Sequence, residues 1–172
     1  MEFIDINQIV AIAEKAGQAI LDIYNDPLRS GQVETKSDNS PLTLADRASN
    51  EVIAQGLASL YPQIPILSEE GKEIPFSERK NWNVYWCVDP LDGTKEFVKR
   101  NGEFTVNIAL MENNHPVAGV IHIPVTGDTY YGTKEQGARK KDHSGEVIAI
   151  HASTATENWV SVGSRSHGSD EE

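Results

Sequence analysis

The sequence predicts a layered α+β fold in which two helices pack on a mostly antiparallel sheet. Three observations favour this class: apolar residues at helical spacing in the N-terminal part, short apolar runs after it, and a hairpin pattern in the middle of the chain. Helices come first and strands follow, an order typical of α+β rather than alternating α/β proteins. The 172 residues are enough for one unit, 1–172, with its own core.

Two helices are predicted in the N-terminal part. Apolar residues recur at helical spacing from Ile6 to Tyr24, and an Asp-Pro pair ends the pattern. The second helix is predicted to begin near Thr43, since Thr43 and Asp46 have the spacing of a capping box, and to continue as far as Tyr61. The polar segment between the helices is predicted to be a loop or mobile hairpin with one short strand around Val33.

Short apolar runs after the helices predict the sheet. Two of them, Ile64 to Leu67 and Val84 to Val88, are continuous, which is typical of strands covered on both faces. The segments FTVNIALM and PVAGVIHIP flank a polar turn and predict a hairpin. Further strands are predicted at TYYGTK, EVIAIH and NWVSVG.

The C-terminal end of the sequence has the pattern of a helix start. Ser169 is followed by three acidic residues, as at an N-cap and first helical turn, but no helical pattern follows. We therefore expect residues 1–172 to form the N-terminal α+β portion of a larger fold whose C-terminal portion is missing.

Composition narrows the function classes. The net charge of −11 argues against binding of DNA or RNA polymers, and the basic run Arg139 to Lys141 is predicted to be a solvated turn. The single cysteine, Cys87, excludes an internal disulfide framework, and its apolar neighbours predict a buried thiol. Surface or hairpin positions are predicted for His115, His122, His143 and His151. No apolar run is long enough for a membrane span, and the N-terminus lacks a basic leader, so a cytoplasmic location is expected.

Three carboxylates follow predicted strands. Asp89 and Asp92 come after one strand in VDPLDGTKEF, and Glu69 comes after another. Such groups repel one another unless protons or cations lie between them. Oxygen ligands without His or Cys favour Mg²⁺ or Mn²⁺ over zinc, and Asp89 could bridge two ions.

The residues after Asp92 suit a phosphate group. Gly93 allows close approach of the backbone to a ligand, and Thr94 can begin a helix whose free N–H groups attract anions. An Asx-turn with a helix cap would also explain an Asp-Gly pair, so both interpretations stay open from the residues alone.

Several motifs of the sequence resemble those of a known protein family. The motif Asp89-Pro90-Leu91-Asp92-Gly93-Thr94 resembles the first signature of the inositol monophosphatase superfamily, the magnesium-dependent, lithium-sensitive phosphatases. Three further features match in order, namely Lys36, Asp46 in TLAD and Glu69 in SEE. The continuation KEF and the later KRNGEFTVNIAL resemble the 3'(2'),5'-bisphosphate nucleotidase branch in particular.

The resemblance implies a set of metal and substrate ligands. Glu69, Asp89 and the Leu91 carbonyl would bind a first Mg²⁺, and Asp89 and Asp92 would share a second. The substrate phosphate would lie against these groups and the Gly93 and Thr94 amides; the implied substrate-binding residues are Glu69, Leu91, Asp92, Gly93 and Thr94.

Other roles are implied by the same resemblance. Asp46 and Thr94 would orient and deprotonate the attacking water, with Glu69 as a third catalytic residue. Glu70 would be a neighbouring carboxylate, and Lys36 would influence a loop that recruits a further ion. Ser164 and Arg165 lie where this branch begins to contact the nucleotide.

The implied protein is a phosphatase of the α/β/α/β/α sugar-phosphatase fold. It would use two or three Mg²⁺ ions, accept Mn²⁺, and be inhibited by Li⁺ and Ca²⁺. Its substrate would be adenosine 3',5'-bisphosphate, hydrolysed to AMP and phosphate, with 3'-phosphoadenylyl sulfate as a second candidate substrate in sulfur assimilation. Peripheral association with the inner membrane and the oligomeric state are left open.

Two alternatives accompany this hypothesis. The first is an inositol or sugar monophosphatase of the same superfamily. The second is a catalytically silent metal-binding fragment, because the family's second signature, a Trp-Asp pair, has no match: Trp159 is followed by Val160.

Overall fold

The computed structural model describes residues 4–31, 33–35, 41–154 and 157. Within this part of the chain the helices are α1 (Ile6–Tyr24), α2 (Leu44–Leu60), α3 (Phe76–Arg79) and α4 (Thr94–Lys99). The strands are β1 (Val33–Thr35), β2 (Pro41–Thr43), β3 (Ile66–Ser68), β4 (Val84–Asp92), β5 (Thr105–Glu112), β6 (His115–His122), β7 (Thr129–Thr133), β8 (Gly137–Lys141) and β9 (Val147–Ile150). Lys36, Ser164, Arg165 and the predicted strand NWVSVG lie outside the described residues.

The main sheet follows chain order, β3-β4-β5-β6-β7-β8-β9, and β1 pairs with β2 in a separate two-stranded ribbon. β3 lies parallel to β4, and every other neighbouring pair in the main sheet is antiparallel. The predicted layered α+β fold with a mostly antiparallel sheet is thus confirmed. None of the described helices is long and apolar enough to cross a membrane.

The core lies between one face of the sheet and the helices α1 and α2. Helical spacing places one stripe of α1 against α2 and strands β5 to β7. Alternation along the strands turns every second side chain toward the helices. The buried residues that meet there include Ile9, Ile20, Ile53, Leu57, Val106, Ile108, Leu110 and Val120.

The opposite face of the sheet is open, and we call it the open face. It carries Cys87, Asp89, Asn107, Ala109 and Ile121, which alternate with the buried residues of β4 to β6. The prediction that Cys87 is buried is therefore wrong: its neighbours Trp86 and Val88 face the core, while the thiol is exposed. Coverage of β4 on both faces is likewise not found within the described residues.

Two polar predictions also need correction. The basic run Arg139 to Lys141 is part of β8 rather than a solvated turn. Lys140 Nζ lies 2.8 Å from Asp128 Oδ2, and Lys141 Nζ lies 2.7 Å from Glu14 Oε1 on α1. His122, predicted at a surface or hairpin position, is the last residue of the hairpin strand β6 but is buried, with its Nδ1 2.9 Å from Thr129 Oγ1.

Candidate metal and phosphate site

A bulge in β4 brings Asp89 and Asp92 to one side of the sheet. Asp89 pairs with Asn107 and Asp92 pairs with Thr105, so three steps along β4 match two steps along β5. In a regular strand, residues three apart point to opposite faces, and one extra residue reverses this. Asn107 Nδ2 accordingly donates to Asp92 Oδ2 at 3.2 Å. The sequence indicated the two aspartates, and the bulge explains how both reach the open face.

The parallel pairing of β3 with β4 brings Glu69 to the same place. Ser68 pairs with Val88, and the Glu69 amide donates to the Val88 carbonyl at 3.1 Å. Glu69 and Asp89 thereby leave neighbouring strands at equivalent points, as the sequence predicted from their positions after two apolar runs.

Asp89 has the most perturbed electrostatics of this group. Burial of its carboxyl and, to a smaller extent, the negative charges of Glu69 and Asp92 together raise the pKa to about 7. A hydrogen bond from the Leu91 amide acts in the opposite direction and lowers the pKa. The ordinary pKa of an aspartate is 3.8, so the site favours a proton or a cation beside this carboxylate.

The chemistry of the donor set fits a hard cation such as Mg²⁺. Asp89 Oδ1 is buried and has no hydrogen-bond partner, and the neighbouring donors are carboxylate and carbonyl oxygens. Among the described residues, no group of three or more His, Cys, Asp or Glu side chains is gathered closely enough to form a complete metal cage. The buried, unpaired oxygen and the raised pKa therefore support Asp89 as the centre of a cation site.

Asp46 and Thr94 meet although 48 positions separate them. Thr94 Oγ1 lies 3.1 Å from Asp46 Oδ1 and 3.3 Å from the Leu91 carbonyl oxygen, so its proton can go to either acceptor. Asp46 Oδ2 accepts from the amide and the hydroxyl of Thr43, at 2.7 and 2.5 Å. Asp46 is 1% exposed, and this network fixes its carboxylate toward Thr94.

Gly93 has a backbone that few other residues adopt. Its φ is +99°, and a Cβ at this position would lie 2.8 Å from the Glu103 carbonyl oxygen. Gly93 is the N-cap of α4, and its carbonyl accepts from the Phe97 amide at 2.9 Å. The prediction that a helix begins at Thr94 is confirmed, while phosphate binding by the Gly93 and Thr94 amides stays a prediction.

Three polar residues beside this site were missed from the sequence. Asn107 bonds Asp92 and accepts from Thr105 Oγ1 at 3.2 Å. Ser49 and Asn50 on α2 contact the chain near Pro90 and near Glu70. Ser49 and Asn50 could have been identified from the sequence, because they follow Asp46 by three and four residues. This spacing places Asp46, Ser49 and Asn50 on one face of the helix.

The site opens onto a groove along the open face of the sheet. Its volume is about 650 Å³. Asp89, Asp92, Thr105 and Asn107 line one end, whereas Ile121 and other apolar residues line the floor beyond them. The groove therefore joins an acidic end to an apolar surface.

Comparison with known proteins gives consistent results. Residues 4–172 match the profile of the inositol monophosphatase family. The chain is 45% identical over 166 residues to the 3'(2'),5'-bisphosphate nucleotidase CysQ of Salmonella typhimurium, covering 96% of this chain and 65% of that protein. It is 44% identical over 169 residues to CysQ of Escherichia coli strain K12, with the same coverage.

Solved structures resemble this chain in the same way. CysQ from Bacteroides thetaiotaomicron, described as a bacterial member of the inositol monophosphatase family, superposes with a TM-score of 0.78 at 39% identity, covering 96% of this chain and 65% of the other. The suppressor protein suhB from Bartonella henselae gives 0.70 at 31% identity, covering 79% and 51%. The chain thus spans about two thirds of the length of the CysQ proteins it matches.

Proposed function

Because the chain belongs to the inositol monophosphatase family, whose members are generally Mg²⁺-dependent, we propose that the whole protein is a 3'(2'),5'-bisphosphate nucleotidase. It would hydrolyse the 3'-phosphate of adenosine 3',5'-bisphosphate to give AMP and phosphate. The observation that carries this proposal is the 45% identity to a nucleotidase of that name over 96% of the chain.

We assign the cation ligands to the residues around Asp89. Glu69, Asp89 and the Leu91 carbonyl would hold one Mg²⁺, and Asp92 would share a second with Asp89. The unpaired Asp89 Oδ1 and the raised pKa of Asp89 support the assignment, because a cation would satisfy the oxygen and relieve the repulsion. Bound Mg²⁺ supplies positive charge that stabilises the negative charge developing on the phosphate. The number of ions, use of Mn²⁺ and inhibition by Li⁺ or Ca²⁺ stay predictions.

The protein's own groups would handle the attacking water. When Thr94 Oγ1 donates to Asp46 Oδ1, the lone pairs of the hydroxyl remain free to accept a hydrogen bond from a water. The water proton would pass to Thr94 Oγ1 as the threonine proton moves to Asp46 Oδ1, which balances the transfer. Glu69 would assist from the metal side, and the amides of Gly93 and Thr94 would hold the phosphate.

A second candidate, an inositol or sugar monophosphatase, has one observation in its favour. The fold also matches a structure named inositol monophosphatase, from Anabaena, with a TM-score of 0.63 at 26% identity over 78% of this chain. A metal-binding fragment without turnover is the third candidate, since the chain spans 65% of the Salmonella relative. Sulfur assimilation, action on 3'-phosphoadenylyl sulfate and a cytoplasmic location stay predictions.

The test compares substrates on two proteins. One is the 172-residue chain, and the other carries the remaining C-terminal part of the Salmonella relative after residue 172. We expect the longer protein to release phosphate from adenosine 3',5'-bisphosphate with Mg²⁺, and to release little from inositol 1-phosphate. The reverse preference would favour the monophosphatase, and inactivity of the longer protein on both would contradict the enzyme proposal.

Asp92→Asn in the longer protein provides the matched control. The amide keeps the shape of the carboxyl but removes a proposed ligand charge, so phosphate release should be abolished. The fold should persist, because removing one charge reduces the repulsion that raises the pKa of Asp89. Full activity of this variant would contradict the assignment of Asp92 to the metal.

A further inference from the structure

One face of α2 contacts all the segments that carry the proposed ligands. Asp46, Ser49 and Asn50 are spaced i, i+3 and i+4, so their side chains lie on the same side of the helix. Asp46 bonds Thr94 at the start of α4. Ser49 bonds the bulge of β4, and Asn50 bonds Ser68 at the end of β3 and the Glu70 carbonyl in the turn after it.

Ser49 is connected to Asp89 through a single peptide group. The side chain of Ser49 is completely buried, and its Oγ donates to the Pro90 carbonyl at 2.7 Å. No cis peptide bonds occur within the described residues, so this carbonyl and the Leu91 N–H point in opposite directions from one plane. That N–H donates to the Asp89 carboxylate. The Ser49 bond therefore sets the direction of the donor that orients Asp89.

The bulge explains why such a bond is needed. Pro90 and Leu91 lie between the Asp89 and Asp92 pairings and have no partner in the register with β5. A carbonyl left unpaired in a buried place costs free energy and can rotate. Ser49 is the partner that α2 supplies to the Pro90 carbonyl, and it leaves the Leu91 carbonyl directed toward Thr94.

Asn50 holds the turn that carries Glu69. Its Oδ1 accepts from Ser68 Oγ at 2.7 Å, and Ser68 Oγ in turn accepts from the Glu70 amide at 3.3 Å. The Gly71 amide closes the same turn on the Ser68 carbonyl at 3.1 Å. Because Ser68 and Glu70 flank Glu69 on both sides, their bonds fix the backbone of Glu69 relative to α2.

We propose that Ser49 and Asn50 are positioning residues, which hold the Asp89–Leu91 bulge and the Glu69 turn at a fixed separation for cation binding. The inference rests on the proposed function in that it requires a cation at Asp89. It assigns to α2 a role beyond its apolar packing: Ile53 and Leu57 in its later turns attach the helix to the core, and Ser49 and Asn50 in its earlier turns align two ligand-bearing segments.

The test measures Mn²⁺ affinity of the 172-residue chain by electron paramagnetic resonance, with Mg²⁺ competition. Ser49→Ala and Asn50→Ala should each weaken binding about tenfold, the lower range for residues that orient metal ligands. Ser49→Thr keeps the hydroxyl and should restore affinity. Asn50 is only half-buried, so Asn50→Ala keeps the proposal testable if Ser49→Ala does not fold.

Two variants of the same helix are the controls. Ser59→Ala makes the same change at an exposed position and should bind as the unmodified chain does. Ile53→Val shortens a completely buried apolar side chain one turn beyond Ser49 and Asn50 and removes no polar group, so it should lower the unfolding midpoint without changing the affinity. If Ile53→Val weakens Mn²⁺ binding as much as Ser49→Ala does, the positioning role is overturned.

The remaining outcomes separate this inference from the proposed function. If the unmodified chain and Asp89→Asn both fail to bind Mn²⁺ or Mg²⁺, the proposed cation site fails and the inference fails with it. If the unmodified chain binds, Asp89→Asn does not, and both Ser49→Ala and Asn50→Ala bind normally, only the positioning role is overturned.

Discussion

At Asp89, burial and the neighbouring negative charges both raise the pKa of the carboxyl group. Burial first, and then the charges of Glu69 and Asp92, raise its pKa from the ordinary 3.8 to about 7. Below about pH 4 the folded and unfolded states both hold the proton. Between about pH 4 and 7 only the folded state holds it, so stability falls as pH rises through this window.

The pH dependence can be tested on the metal-free chain. In EDTA, the unmodified chain should lose more unfolding free energy between about pH 4 and pH 7 than Asp89→Asn does, by on the order of 1 kcal/mol after solvent screening of a half-buried group. Urea denaturation at several pH values measures the difference. Parallel curves for the two proteins would contradict the raised pKa of Asp89.

Gly93 provides a second test of a single residue. Gly93→Ala combines a positive φ of 99° with a close contact to the Glu103 carbonyl, whereas Gly137→Ala has a φ of 74° and open space around its Cβ. Both changes strain the backbone, so their difference isolates the contact. We expect Gly93→Ala to cost about 1–3 kcal/mol more in unfolding free energy. Equal urea midpoints for the two variants would show that the backbone at Gly93 moves without cost.

Among the elements, the start of α2 combines a helix cap with the candidate site. Thr43 accepts from the amides of Ala45 and Asp46, and the Asp46 carboxylate accepts from the Thr43 amide. The capping box predicted from the sequence is confirmed. Because the same carboxylate also bonds Thr94, the cap and the proposed proton path share one residue.

Removing the N-cap side chain should therefore cost more unfolding free energy at α2 than at α1. Thr43→Ala removes a buried cap that also donates to Asp46, and we expect a loss of about 1–2 kcal/mol in unfolding free energy. Asp5→Ala at α1 removes two exposed bonds, from the Asn7 amide and from the Gln8 side chain, and should cost about 0.5–1 kcal/mol. Thermal or urea unfolding compares them. A larger loss in Asp5→Ala would contradict this account of α2.

Element boundaries show where sequence patterns failed. The bounds of α1 were predicted closely, since its apolar stripe is regular and Asp5 caps it. β4 was predicted to end at Val88 but continues to Asp92, because a bulge has no distinctive sequence pattern. β8 was predicted as a turn, since its basic side chains hide a strand whose lysines bond Asp128 and Glu14.

At the scale of the whole molecule, the two faces of the sheet differ. Val120 and Ile121 are adjacent on β6, yet Val120 is 1% exposed against the helices and Ile121 is 48% exposed on the open face. A hydroxyl buried at the first position needs a partner, whereas at the second it is solvated.

The difference in exposure between Val120 and Ile121 predicts that substitution by threonine changes the unfolding free energy by unequal amounts at the two positions. Val120→Thr should lower the unfolding free energy by about 1–3 kcal/mol, and Ile121→Thr should change it by less than about 0.5 kcal/mol. Urea denaturation of the 172-residue chain compares them. A large loss for Ile121→Thr would mean that the open face is covered in solution.

Local patterns in the sequence determined the two main helices, most strands and the motif around Asp89 and Asp92. These features depend on residues close in the chain, where helical or alternating spacing and turn residues act directly. Only the tertiary structure decided that Asp46 meets Thr94, that Ser49 orients the Pro90 carbonyl and that Cys87 is exposed. Such contacts depend on strand register and on which sheet face the helices cover, and both are set by packing between distant segments.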